Sequence, residues 1–285
     1  MAELLRGKPV ADALGESLIP RIEALQEGGI APTLAVIRVG SREDDLSYER
    51  SILKRFDLLG IDVRLFELPD DCSQEQLVST IDAANADASI HGILMFRPLP
   101  DHLDEEAACD AILPDKDMDG VTQGSLFGVF ANRPIGFPPC TADACIEILR
   151  AYGYELDGAD VVVIGRSLVI GKPVSAMLQA ANATVTMCHT HTRDVPAVAK
   201  GADIVVVAAG RPGTIGADAV RPGQVIVDVG INWDAAAGRL VGDVAFADVE
   251  PVVGAITPVP GGVGSVTTAI LAKHVVKAAE RIRVG

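Results

Sequence analysis

The chain is 285 residues long, 49% hydrophobic and 22% charged, a composition that suits one large or two modest globular domains and excludes wholesale disorder. Its formal net charge of −15 repels phosphate backbones and anionic lipids, which argues against nucleic acid or a membrane surface as a partner. Aromatic residues make up only 4%, so Ala, Val, Ile and Leu must build the core, as expected of helices packed on a parallel sheet.

At the start of the chain Glu3, Arg6 and Lys8 interrupt any apolar run, which predicts no secretory signal. The longest apolar runs, 161–164 and 204–209, are too short to span a bilayer. Apolar residues at helical spacing over 10–26, ended by Gly28 and Gly29, precede a β-rich run at 33–39. A helix at 46–59 stopped by Gly60, a strand at 63–68, a helix at 74–85 and a strand at 90–96 follow. Arg97, Pro98, Leu99 and Pro100 then break regular structure. A second series begins near residue 140, with a helix at 141–151 that has Thr141 as N-cap and Gly153 beyond its end. It continues as a strand (161–164), a helix (172–181), a strand (184–188), a short helix (195–200) and strands at 204–208 and 225–229. A closing helix at 265–283 is predicted to pack back on the first domain.

Strands alternating with helices in this way indicate βαβ units. The predicted fold class is α/β in two domains, 1–144 with 266–285 and 145–265, the second Rossmann-type. Cys72, Cys109, Cys140, Cys145 and Cys188 show no CxxC spacing, which predicts buried reduced thiols, no metal centre and a cytoplasmic location.

Val161 to Ile164 run into Gly165-Arg-Ser-Leu-Val-Ile-Gly171-Lys-Pro173, a variant of the dinucleotide glycine fingerprint between a buried strand and a helix. Gly165 supplies a tight turn, Gly171 lets the helix approach the sheet, and N–H groups at the helix start can take pyrophosphate. NAD-specific sites place a carboxylate at the end of the second strand. That strand here ends Met187-Cys-His-Thr-His-Thr-Arg193, without one, and Arg166, Thr190 and Arg193 are candidates to meet a 2′-phosphate, so the expected cofactor is NADP rather than NAD. The loops Ala208-Ala-Gly210-Arg-Pro-Gly213 and Asp228-Val-Gly-Ile-Asn232 follow later strands and are expected to line the same crevice.

Taken with Pro138-Pro-Cys-Thr141, Gly242-Asp-Val244, Ile256-Thr-Pro-Val-Pro-Gly-Gly-Val-Gly264, Gly92-Ile-Leu94 with Pro98-Leu-Pro100, and Asp115-Lys-Asp-Met-Asp-Gly120, these motifs span nearly the whole chain in order. Together they resemble the methylenetetrahydrofolate dehydrogenase/methenyltetrahydrofolate cyclohydrolase family. The resemblance implies an N-terminal folate-binding catalytic domain, a Rossmann-type NAD(P) domain with a cleft between the two, and a homodimer. It implies oxidation of 5,10-methylenetetrahydrofolate with NAD(P) and hydrolysis of the 5,10-methenyl product to 10-formyltetrahydrofolate. The family's pterin stacks on a Tyr and is held by an Asp, at positions matching Tyr48 and Asp119. An aspartate can accept two hydrogen bonds from an amino-pyrimidinone edge. The substrate surface so implied also takes in Met95, Phe96, Arg97, Pro260, Gly261 and Gly262. On the cofactor side it takes in Gly165, Arg166, Ser167, Gly171, Thr190, Gly210 and Ile231.

Two positions depart from the family pattern. The Lys central to the cyclohydrolase, four residues after the Tyr, is replaced by Ile52, and the Gln that orients it is replaced by Phe96. Lys54 matches a different basic position. The residues leave three readings: a dehydrogenase with weak or absent cyclohydrolase activity, a bifunctional enzyme in which Arg97, Lys54 or an ordered water replaces the Lys, and a catalytically altered folate- or dinucleotide-binding protein.

Overall fold

A computed structural model of the chain describes residues 1–235 and 238–283. The first half runs β1 (Glu3–Leu4), α1 (Gly7–Glu27), β2 (Thr33–Val39), α2 (Glu43–Leu59), β3 (Asp62–Leu68), α3 (Gln74–Ala86), β4 (Gly92–Met95), α4 (Glu105–Ala111) and α5 (Gln123–Ala131). The second half opens with α6 (Cys140–Ala151), β5 (Asp160–Ile164), α7 (Gly171–Ala180), β6 (Thr184–Cys188), α8 (Val195–Gly201), β7 (Ile204–Val207) and β8 (Val225–Asp228). It closes with β9 (Asn232–Asp234), β10 (Arg239–Val241), α9 (Phe246–Val249), β11 (Ala255–Ile256) and α10 (Thr267–Arg283).

The chain divides into two compact units, each with its own parallel sheet. Asp12–Cys140 and the chain from Thr268 onward form a three-stranded unit, and Met1–Ala11 with Thr141–Thr267 form a six-stranded one. The closing helix, from Thr268, groups with the first unit. The first eleven residues do not belong there. Glu3 and Leu5 donate backbone hydrogen bonds to Gly254 (2.8 Å) and Ile256 (2.9 Å), so β1 is an edge strand of the larger sheet.

In the three-stranded unit β2 lies between β3 and β4, all parallel. Every residue of β2 is buried, so its near-continuous apolar run reads as a central strand covered on both faces. Its one charge, Arg38, is neutralised by Glu49 of α2 at 2.9 Å. Helix α2 begins three residues before the apolar spacing implies, because Glu43, Asp44 and Asp45 suit the positive end of the helix dipole. It ends at Gly60, whose φ of 73° is the left-handed conformation a glycine adopts most easily. A reciprocal capping box of Ser73 and Gln76 starts α3. The predicted strand at 90–96 is hydrogen-bonded as a ladder only over β4, although the Phe96 N–H still reaches the Ile37 carbonyl at 2.9 Å. Ile37, Leu77, Ile81 and Ile93 lie in the core beneath it.

The larger sheet has the order β1-β11-β8-β7-β5-β6, all parallel, with β9 and β10 paired as a separate antiparallel ribbon. Strands β6 and β7 lie on opposite sides of β5, so the direction of winding reverses there. Such a switch point opens a crevice at the carboxyl ends of the strands. Val162, Ile164, Val205, Val207 and Ile226 fill the core under it. None of the five cysteines forms a disulfide, and all are buried. Among the described residues no helix is long and apolar enough to cross a membrane.

Candidate active site

At the switch point the chain leaves β5 through Gly165, whose φ is 129°. A Cβ there would collide with the Ala208 carbonyl, and one at Gly171 would collide with the backbone of Gly165 and Arg166. Both glycines are therefore required by backbone-to-backbone packing. Ser167 closes the turn. Its hydroxyl accepts from the Ile170 N–H at 3.2 Å and its carbonyl from the Lys172 N–H at 3.0 Å, which sets the start of α7.

The turn forms one wall of a cavity of about 510 Å³, lined among others by Arg166, Ser167, His189, Thr190, Arg211 and Thr214. Arg166, Ser167 and Thr190 thus come together as the sequence suggests, while Gly171 acts from behind. Arg193 is exposed and is not among the lining residues. His189 and Arg211 were not singled out by sequence reasoning. Both sit beside residues that were, at the ends of β6 and β7.

The Gly210 loop is held from beneath by a carboxylate. The N–H groups of Ala209 and Gly210 donate to one oxygen of Asp243 at 2.7 and 2.8 Å, and the Asn232 side-chain amide donates to the other at 2.9 Å. Asp228 accepts from the backbone N–H groups of Gly230, Asp243 and Val244 at 3.1, 2.9 and 3.0 Å. Burial pushes Asp228 up to about 6, against the lowering effect of those hydrogen bonds. Its neighbour Ile231 is exposed and shares a smaller cavity, about 250 Å³, with Pro260, Gly261 and Gly262. Both aspartates lie in the sequence motifs, but only their burial shows that they brace the loops.

In the three-stranded unit a second set of side chains gathers where β4 ends. Tyr48 of α2 faces Phe96 with ring centroids 5.8 Å apart and planes tilted by 42°. Ile52, one turn further along α2, is completely buried, and Met95 and Phe96 are buried beside the strand end. Lys54 is exposed on the same helix. The backbone does not continue as a strand through Arg97. Its guanidinium lies 3.9 Å from Asp119 and 3.6 Å from Glu105. Glu105 is fixed in turn, since its other oxygen accepts the Leu99 N–H at 2.8 Å.

Asp119 stands in a loop shaped by Asp117, whose two oxygens accept the N–H groups of Val121 and Thr122 at 3.1 and 2.8 Å. The preceding carbonyl, of Met118, receives His274 Nδ1 at 2.9 Å and the Cys140 thiol at 3.2 Å. Burial pushes the Asp119 carboxyl up, Arg97 pulls it back down and Asp117 pushes it up again. A carboxylate held in this way can accept hydrogen bonds from the donor edge of a flat heterocycle.

The comparisons with known proteins agree with both halves. Residues 5–119 match the tetrahydrofolate dehydrogenase/cyclohydrolase catalytic domain, and residues 139–283 match the NAD(P)-binding domain of the same family. The chain is 52% identical to the bifunctional protein FolD of Carboxydothermus hydrogenoformans over 281 residues, 98% of each chain. The crystal structure of the bifunctional FolD dehydrogenase/cyclohydrolase of Campylobacter jejuni superposes with a TM-score of 0.95 at 37% identity, covering 99% of this chain and 100% of that one. A Trypanosoma brucei methylenetetrahydrofolate dehydrogenase-cyclohydrolase, complexed with NADP cofactor and inhibitor, superposes at 0.92 with 35% identity, covering 100% of this chain and 99% of that one. With a fingerprint loop at the sheet's switch point and family matches over both units, the chain belongs to the tetrahydrofolate dehydrogenase/cyclohydrolase family.

Proposed function

We propose that the protein interconverts 5,10-methylenetetrahydrofolate and 5,10-methenyltetrahydrofolate with NADP, and that it has little or no cyclohydrolase activity. The observation that carries this reading is the pair Ile52 and Phe96, both buried and apolar, with Phe96 packed toward Tyr48. Hydride removal from the methylene bridge leaves a cation that the folate's own nitrogens stabilise, so no protein base need take a proton from carbon. Tyr48 stacks on the pterin, Asp119 accepts hydrogen bonds from its amino-pyrimidinone edge, and their task is orientation. Hydrolysis has different needs, because water must be activated beside the methenyl carbon. Ile52 has no polar atom to do this.

The cavity beside the glycine loop fits a dinucleotide with a 2′-phosphate. Arg166, Arg211 and Thr190 line it, and no carboxylate is among its described lining residues. The bound cofactor supplies the hydride acceptor. Gly165, Ser167, Gly171, Gly210 and Ile231 shape the surface that holds it. The Trypanosoma brucei relative is itself an NADP complex. On the family resemblance we also read the protein as a cytoplasmic homodimer, which sedimentation of the purified chain and localisation of a tagged copy would test.

A second reading, full bifunctionality, draws on Arg97. It places a cation near Asp119 where the family's Lys is missing, and a relative at 52% identity bears a bifunctional name. One experiment separates the two. Methylene oxidation is followed with NADP and NAD side by side while the methenyl product is monitored over time. The first reading expects NADP to be preferred and the methenyl compound to accumulate, hydrolysing near the solvent rate. Rapid hydrolysis that is lost in Arg97→Ala would overturn it in favour of the second.

A further inference from the structure

Arg97 has a more specific task than its place near a substrate surface implies. It follows the last residue that hydrogen-bonds alongside β4, and its two guanidinium nitrogens reach two carboxylates, Glu105 of α4 at 3.6 Å and Asp119 at 3.9 Å. Glu105 is no mobile surface partner, because the Leu99 N–H holds its second oxygen at 2.8 Å. Arg97 is therefore braced on one side and aimed at Asp119 on the other. The opposite oxygen of Asp119 faces the Cys140 N–H at 3.4 Å.

We propose that Arg97 is a positioning residue for the folate substrate: braced by Glu105, it presents Asp119 to the pterin as an oriented anion. This rests on the reading of Asp119 as the pterin-holding residue. The chemical requirement is simple. An ionised carboxylate offers two acceptor oxygens to the two donors of an amino-pyrimidinone edge, whereas a protonated one turns a donor toward a donor. The surroundings of Asp119 work against ionisation. Burial and Asp117 both favour the neutral form, and Arg97 is the cation that opposes them. The groups facing Asp119 are Arg97 from the loop after β4, Asp117 from its own loop and the Cys140 N–H and thiol at the start of α6. Behind them stand Glu105 of α4 and His274 of α10, the latter bound to the Met118 carbonyl.

The test is steady-state methylene oxidation by the full chain at saturating NADP across a pH series. The variants are Arg97→Gln, Arg97→Lys, Asp119→Asn and the Arg97→Gln/Asp119→Asn double. Arg97→Gln is expected to raise the folate KM about tenfold, as loss of a charge-assisted contact would. It should also move the acidic limb of kcat/KM to higher pH, because Asp119 then keeps its proton further up the scale. The NADP KM should hold. Arg97→Lys should restore much of both effects, and Arg97→Gln should add little in the Asp119→Asn background.

An acidic limb that coincides with wild type in Arg97→Gln, or two single effects that simply multiply in the double variant, would overturn the inference. Loss of methenyl hydrolysis in the Arg97 variants with an unmoved limb would overturn it too, and would make Arg97 the hydrolytic group. If Asp119→Asn leaves the folate KM intact, the reading of Asp119 fails and this proposal falls with it. A strong Asp119→Asn effect beside an unmoved limb sinks this proposal alone. Should thermal melting show that Arg97→Gln does not fold, Glu105→Gln releases the brace instead. The same shift of the acidic limb, in smaller measure, then supports the role, and an unshifted limb refutes it.

Discussion

The glycine loop after β5 and the Phe96–Arg97 segment after β4 both follow a parallel strand at its carboxyl end, yet they are built of different material. The first is made of backbone. Gly165 and Gly171 are fixed by contacts with other main-chain atoms, and carboxylates of Asp228 and Asp243 grip N–H groups of the neighbouring loops. The second is made of side chains. Ile52 and Phe96 are buried, Phe96 faces Tyr48, and Arg97 reaches the carboxylates of Glu105 and Asp119. A site of the first kind resists change because any added atom displaces the fold. A site of the second kind can change its side chains without displacing the backbone.

The sharpest way to break that contrast is Gly165→Val. The φ of 129° and the Ala208 carbonyl leave no room for a side chain. Strain of this kind costs about 2 kcal/mol or more. A clear fall in Tm with loss of NADP binding is expected, and a variant that melts and binds like wild type would refute the backbone-built description. Arg166→Ala comes next. As a side chain on a backbone-built site it should weaken NADP about tenfold or more and NAD much less, in line with roughly 1.5–3 kcal/mol for a charge-assisted hydrogen bond. Equal losses measured by fluorescence titration, or a native preference for NAD, would count against the 2′-phosphate role.

A smaller effect is expected from Ile52→Lys with Phe96→Gln, which should introduce measurable methenyl hydrolysis. Ile52→Lys alone should do less, because an ammonium at a fully buried position without its orienting partner is poorly placed and costly to desolvate. No gain in the double variant would mean that the exchange involves more than these side chains. The smallest expected change is a slope. Folding raises Asp228 from an ordinary 3.8 to about 6, so between those values the folded chain holds the proton more tightly than the unfolded one. Its share of stability is then present at the acid end and is lost as pH rises through about 6. Asp228→Asn cannot titrate and should flatten that part of the pH–stability curve, so an unchanged slope would clear Asp228 of the effect.

How far the sequence reveals the molecule follows the same division. The run Thr33–Val39 reads as a strand because it is rich in β-branched and aliphatic residues, its buried Arg38 apart, and Gly60 reads as a helix end because few residues accept its conformation. The two-residue β1 and β11 carry no periodicity to detect. Helix α5 hides behind Gly124, Gly128 and the exposed Phe127 and Phe130, which spoil any apolar face. At the site, residue identity reveals that Ile52 and Phe96 are apolar, and the structure adds that both are buried. The meeting of Arg97 with Asp119 was not readable, since it depends on how the chain turns after β4 and on the brace from Glu105. Nor could the motifs show that Asp228 and Asp243 are buried, which is what makes them struts rather than surface charges.

The pairing of β1 with β11 also bears on how the chain matures during synthesis. Glu3 is synthesised well before its partner, Ala255, with all of β2 to β10 made between them. The larger sheet therefore cannot seat its edge until synthesis has passed residue 256, and contacts so distant in sequence form slowly. The other unit waits as well, because His274 and Glu280 of α10 complete it. A chain that stalls before residue 255 would leave the apolar strand β8, with Val225, Ile226 and Val227, open along one edge. An unpaired edge of that kind recruits other chains, so nascent and truncated forms are expected to depend on chaperones in a way the finished protein does not.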